Sequence, residues 1–138
     1  MRIEGSCHCS NIAFAMDWTE FSAALKGRSC GCDFCRMHGA TWTSHPEVEV
    51  RATIKSADEI IKYQFGHKTA EFYICARCGI VPFAKYDSEN GPVAVVNINT
   101  FDSIDRDDIE CGDTDFDDET VDTRLARRSR NWSPLCIT

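Results

Sequence analysis

Apolar residues along this chain fall in short runs with partial alternation, and only rarely at the spacing of an amphipathic helix. NIAFAM (11–16), VEVRATI (48–54), IIKYQF (60–65), AEFYIC (70–75), VPFAKY (81–86) and VAVVNI (93–98) are the main ones. β-Branched and aromatic side chains dominate them and suit a pleated backbone, so each predicts a strand. FGHK (65–68) and SENGP (88–92) are turn signals, and SENGP between two apolar runs predicts a hairpin. Helical signal is sparse. TEFSAALKG (19–27) suits two turns ending at Gly27, and DSIDRDDIE (102–110) one more. The expected fold is mainly β, with few short helices and antiparallel sheets. Neither solenoid-period repeats nor low-complexity stretches interrupt it.

At 138 residues the chain has the size of one domain, 1–138, able to bury a core without staples. The apolar runs are too short to span a bilayer, and MRIEGSCHCS lacks the apolar core of a signal peptide. A cytoplasmic protein is expected. The net charge of −7 argues against a nucleic-acid partner and against attraction to anionic membrane. Most of the acid lies in 102–122, followed by a basic stretch at 124–132. The segment 102–138 thus reads as a solvated surface that partly neutralises itself.

Cysteine changes the picture. Nine are present, and in a reducing compartment such clusters point to metal rather than disulfides. Seven fall into three groups: Cys7 with Cys9; Cys30, Cys32 and Cys35; Cys75 with Cys78. In CARCG (75–79) two intervening residues let one tight turn present both sulfurs, and Gly79 lets backbone amides approach them. In CHC (7–9) alternate residues of an extended segment would project to one side.

Counting joins the groups. Cys7, Cys9, Cys75 and Cys78 make a closed four-thiolate site, the structural type, which leaves Cys30, Cys32 and Cys35 as a three-ligand site of the catalytic type. A fourth protein ligand would instead make the second site structural; His38, His45, Cys111 and Cys136 are the candidates. Cys111 and Cys136 read more simply as small buried hydrophobes. His8 should point away from the metal, and His67 should be solvated. Zinc is preferred to iron, which four thiolates also suit, because one site is short of ligands and nothing suggests electron transfer.

GSCHCSNIAF (5–14), CGCDFCRMHGATW (30–42) and FGHKTAEFYICARCGIVPF (65–83), in this order, resemble the glutathione-dependent formaldehyde-activating enzyme family, which includes centromere protein V. The resemblance is best over 4–100, and RNW at 130–132 is similar to the family's ending. It implies a β-tent-like fold pinned by zinc and the same division of ligands. It also implies a carbon–sulfur lyase activity: formation of S-hydroxymethylglutathione from glutathione and formaldehyde. The chain departs from the family pattern in the short spacer before Gly39 and in RSRNW (128–132).

The expected function is therefore a zinc-dependent enzyme that forms or breaks adducts of small thiols and aldehydes. The alternative is a zinc-stabilised binding module without turnover. With seven thiolates and two zinc ions the net charge is about −10, so anionic glutathione would need local positive charge. Arg36, directly after Cys35, is the first candidate and Arg77 the second. His38 is the candidate general acid or base. Trp42 and Trp132 either wall a pocket over the open metal or pack in the core.

Overall fold

A computed structural model describes residues 1–18, 25–114 and 119–138. In chain order, β1 (Arg2–Ser6), β2 (Ile12–Asp17) and β3 (Lys26–Cys30) precede helix α1 (Asp33–His38) and β4 (Trp42–Thr43). Then come β5 (Val50–Ile54), β6 (Ile60–Tyr63), β7 (Glu71–Cys75), β8 (Phe83–Ser88) and β9 (Gly91–Asn97). Last are β10 (Glu110–Thr114), helix α2 (Val121–Asn131) and β11 (Ser133–Ile137). The mainly-β class is as expected, and each of the six apolar runs carries a strand. The SENGP hairpin forms between β8 and β9, with Ser88 opposite Gly91.

Of the expected two-turn helix, residues 19–24 lie outside the described residues, and Gly27 sits inside β3 rather than ending a helix. Over 102–110 the chain makes a single 3-10 turn, Arg106–Asp108. The basic stretch is not a featureless solvated surface, since it forms α2. Thr120 caps that helix, its hydroxyl accepting from the Thr123 amide, with Asp122 in the first turn and Arg128 and Arg130 in the last. Those placements suit the helix dipole.

The described strands form one connected sheet in the order β1-β2-β5-β11-β9-β4-β3-β10. β9 also pairs along its other edge with β8, which continues to β7 and β6. β11 lies parallel to β5 and antiparallel to β9, and so joins two parts of the sheet.

The VAVV run has no polar alternation because β9 is buried on both faces. Ala94 and Val96 join Phe83, Tyr73, Ile3 and Ile12 in one core, while Val93 and Val95 join Ala84, Phe72, Trp42 and Trp132 in another. Cys7 and Cys75 belong to the first core and Cys35 to the second. The two cysteine groups thus occupy opposite faces of the same central strands. Among the described residues, no helix is long and apolar enough to cross a membrane.

Candidate metal centres and the adjoining cavity

The Sγ atoms of Cys7, Cys9, Cys75 and Cys78 all lie within 4.8 Å of one another. Cys9 and Cys75 sulfurs are 3.4 Å apart, and those of Cys7 and Cys9 3.8 Å. A tetrahedron of sulfurs around zinc, with zinc–sulfur bonds of about 2.3 Å, has edges of about 3.8 Å, so the four residues fit that ion.

CHC is not extended, as its alternation suggested. A tight turn after β1 holds it, with the Ser10 amide donating to the Cys7 carbonyl at 3.0 Å and Ser10 at φ 67. Asn11 anchors the turn by accepting from the Ser56 amide at 2.8 Å. On the other side Gly79, at φ 79, lets the knuckle close, its amide donating to the Cys75 carbonyl at 2.8 Å.

Burial pushes the Cys7 thiol up to about 12, against a backbone hydrogen bond from Ile12. Burial also acts to raise Cys78, yet the amides of Ile80 and Cys9 outweigh it and bring that thiol down to about 6. Cys75 is lowered too, the amides of Cys78 and Arg77 overcoming its desolvation.

The second group is Cys30, Cys32 and Cys35, whose sulfurs also lie within 4.8 Å of one another. Cys30 ends β3. Cys32 is the N-cap of α1, its sulfur accepting from the Cys35 amide at 3.5 Å, and Cys35 is buried one turn along. The Trp42 indole N–H donates to the Cys35 sulfur at 3.3 Å. Hydrogen bonds from Cys30 and Cys35 bring Cys32 down to about 2, and the same contacts raise Cys30 and Cys35. A metal binds thiolates, so its capture by the trio releases protons. These spacings and this soft donor set fit zinc.

No histidine or carboxylate joins the trio among the described residues. The exposed His38 packs its ring 4.5 Å from that of Phe34. His45 packs edge-on to Trp18, and its Nδ1 accepts from the Glu47 amide. Cys111 and Cys136 are exposed, contrary to the expectation of burial. Cys111 lies on β10, at the end of the strand order, and Cys136 alternates with the buried Leu135. His67 is exposed as expected, and His8 is exposed too.

A cavity of about 180 Å³ opens onto the trio. Trp42, Trp132, Phe65 and Phe72 wall it, so both tryptophans are core residues and cavity residues at once. Arg36 and His38 are not among its walls. Arg36, two-thirds exposed (66%), pairs with Asp33 at 3.0 Å, and Arg77 pairs with Glu59 at 2.8 Å. The walls instead carry Arg28, Arg124, Arg127 and Arg128, none of which was singled out from sequence. A signal was present. Arg28 and Cys30 are alternate residues on one strand, and Arg124, Arg127 and Arg128 have the i, i+3, i+4 spacing of one helix face.

The profile of the glutathione-dependent formaldehyde-activating enzyme family matches residues 2–115. A crystal structure of a Rhodobacter sphaeroides protein, a structural-genomics target, is similar at a TM-score of 0.58 and 25% identity. The match covers 79% of this chain and 99% of that one. No curated protein matches the chain.

Proposed function

The chain belongs to the glutathione-dependent formaldehyde-activating enzyme family, and from that premise we propose that it is a zinc-dependent enzyme of the carbon–sulfur lyase type. It forms or breaks adducts between a thiol and an aldehyde, such as S-hydroxymethylglutathione, beside Cys30, Cys32 and Cys35. The observation that carries this reading is three converging sulfurs that face a cavity, with no fourth ligand side chain among the described residues. Cys7, Cys9, Cys75 and Cys78 hold a second zinc that belongs to the scaffold.

The reaction adds S–H across a carbonyl. A carbon–sulfur bond forms, and the thiol proton ends on the former carbonyl oxygen. Zinc held by three thiolates is a weak Lewis acid, so the chemistry it would supply there is a lowered pKa for the substrate thiol. Cys32 is fixed by its place at the N-cap of α1, and Cys35 by the Trp42 indole. Trp42, Trp132 and Phe72 exclude water from one side of the reacting atoms and strengthen electrostatic interactions there. Arg36 and His38, which do not line the cavity, receive no role in this mechanism.

Metal content and NMR exchange test the reading together. Protein purified without added zinc should carry about two zinc ions per chain. It should accelerate hemithioacetal exchange across a panel of thiols and aldehydes. Cys32→Ser should abolish the acceleration and leave the circular dichroism unchanged. Loaded protein that gives no acceleration over buffer overturns the proposal.

A further inference from the structure

Thiol addition builds negative charge on the carbonyl oxygen before that oxygen is protonated. With the substrate sulfur at the trio, the oxygen needs a separate electrophile, and a charged N–H donor aimed at the developing charge supplies one. Guanidiniums in the cavity walls are the candidates. Arg124, Arg127 and Arg128 lie on α2, which carries no cysteine of the trio. Glu119 engages Arg127 at 2.9 and 3.0 Å and lies 3.8 Å from Arg124. Arg128 donates to the Thr69 hydroxyl at 2.7 Å and lies over the rings of Trp132 and Tyr86 at 5.0 and 5.9 Å.

Arg28 is placed differently. It lies on β3 two residues before Cys30, so the two share a strand face with Cα atoms about 7 Å apart. Across the β3–β4 ladder it is the register partner of Trp42, whose indole holds the Cys35 sulfur. Arg28, Cys30, Cys35 and Trp42 all line the cavity. The backbone there is firmly placed, because β3 pairs on both edges, with β4 and with β10.

The partner of Arg28 is neutral. Its Nη2 donates to the Ser44 hydroxyl at 2.9 Å, and that hydroxyl donates to the Asn131 carbonyl at 2.9 Å. Among the described residues no carboxylate pairs with Arg28. A guanidinium carries five N–H donors, so one bond to a hydroxyl orients the fork and leaves donors for an anion. Arg36 and Arg77, each paired with a carboxylate, offer no such surplus beside the trio.

We infer that Arg28 is a catalytic residue of the thiol–aldehyde reaction, its N–H donors holding the carbonyl oxygen as it becomes an alkoxide. The sulfur lone pair forms the carbon–sulfur bond, and the carbonyl π pair moves onto oxygen. The thiol's proton, given up to water on ionisation, returns to that oxygen from water. Arg28 keeps its own protons throughout. In the reverse direction the same donors hold the oxygen until the carbon–sulfur bond breaks. This assignment rests on the thiol–aldehyde reading.

Exchange kinetics of the zinc-loaded protein test it, with Arg28→Gln and, as a control, Arg36→Gln. Arg28→Gln should lower kcat roughly 100–1,000-fold, as loss of one oxyanion donor does, with little change in the KM for the aldehyde. Arg36→Gln should match the parent. Thioacetate, a stable anion with sulfur and oxygen on one carbon, gives a readout apart from turnover. By titration calorimetry Arg28→Gln should bind it roughly tenfold more weakly or worse. The variant should bind ethanethiol, which lacks the oxygen, as the parent does.

A parent-like rate in Arg28→Gln, the same loss in Arg36→Gln, or equal weakening of thioacetate and ethanethiol overturns the inference and leaves the enzyme reading standing. A zinc-loaded parent protein that accelerates no exchange overturns both.

Discussion

Trp42 links the buried core to the trio through one hydrogen bond, from its indole to the Cys35 sulfur. Trp42→Phe keeps the ring and removes the donor. The metal affinity of the trio should fall by roughly 10–100-fold, as for other partners that orient a ligand, while the four-cysteine site is unaffected. Competition with a chromophoric chelator reads both sites. Glu119 gives a second residue-scale prediction. Its hydrogen bond to Arg127 holds its carboxyl below the ordinary value of 4.5, so the stability it contributes is complete above that pH and is lost as pH falls below it. The stability difference between the parent and Glu119→Gln should be about 1 kcal/mol at neutral pH and should vanish on acidification below the carboxylate range, measured by thermal unfolding. At this scale the cysteine groups were legible, because each short spacing is local, although CHC lies in a turn and not in the extended form its alternation suggested. Arg36 and His38 were singled out for nearness along the chain. The cap at Cys32 sets the phase of α1, turning Cys35 inward and leaving its neighbours Arg36 and His38 exposed.

Strands with β-branched runs could be read from pattern, whereas β3, β4 and β10 could not. KGRSC, WT and ECGDT are short or polar, and they pair because the chain around them is already placed. Helix α1 is equally local: six residues between a cysteine N-cap and Gly39, whose φ of 64 ends the helix in the left-handed region. The two cysteine groups differ in what they tie together. The quartet joins the turn between β1 and β2 to the end of β7, elements far apart in sequence, while the trio joins β3 to the adjoining α1. Graded chelation should separate them. The trio, with two half-exposed members and the adjoining cavity, should lose its metal first with little change in circular dichroism. Loss of the quartet's metal should follow with cooperative unfolding, since binding worth roughly 10–16 kcal/mol is then withdrawn from folding. Cys78→Ser should behave as the second stage does.

Across the whole molecule, the family match stops at residue 115, yet the chain beyond it completes the architecture. Helix α2 supplies three of the four cavity arginines, and β11 lies between β5 and β9. No hydrophobic periodicity announces SPLCI as an interior strand, because the slot it fills is made by distant segments. Deleting residues 133–138 should therefore leave two unpaired edges inside the sheet and give a protein that aggregates or fails to show a cooperative melt, as followed by size exclusion and calorimetry. The parallel match of β11 to β5 reaches further than stability. A ribosome delivers the keystone after almost everything it must hold, so the nascent polypeptide carries all seven clustered thiols before its sheet can be finished. Capture of an ion by the early quartet would then serve as a provisional clasp during synthesis, protecting its four sulfurs from oxidation until β11 arrives.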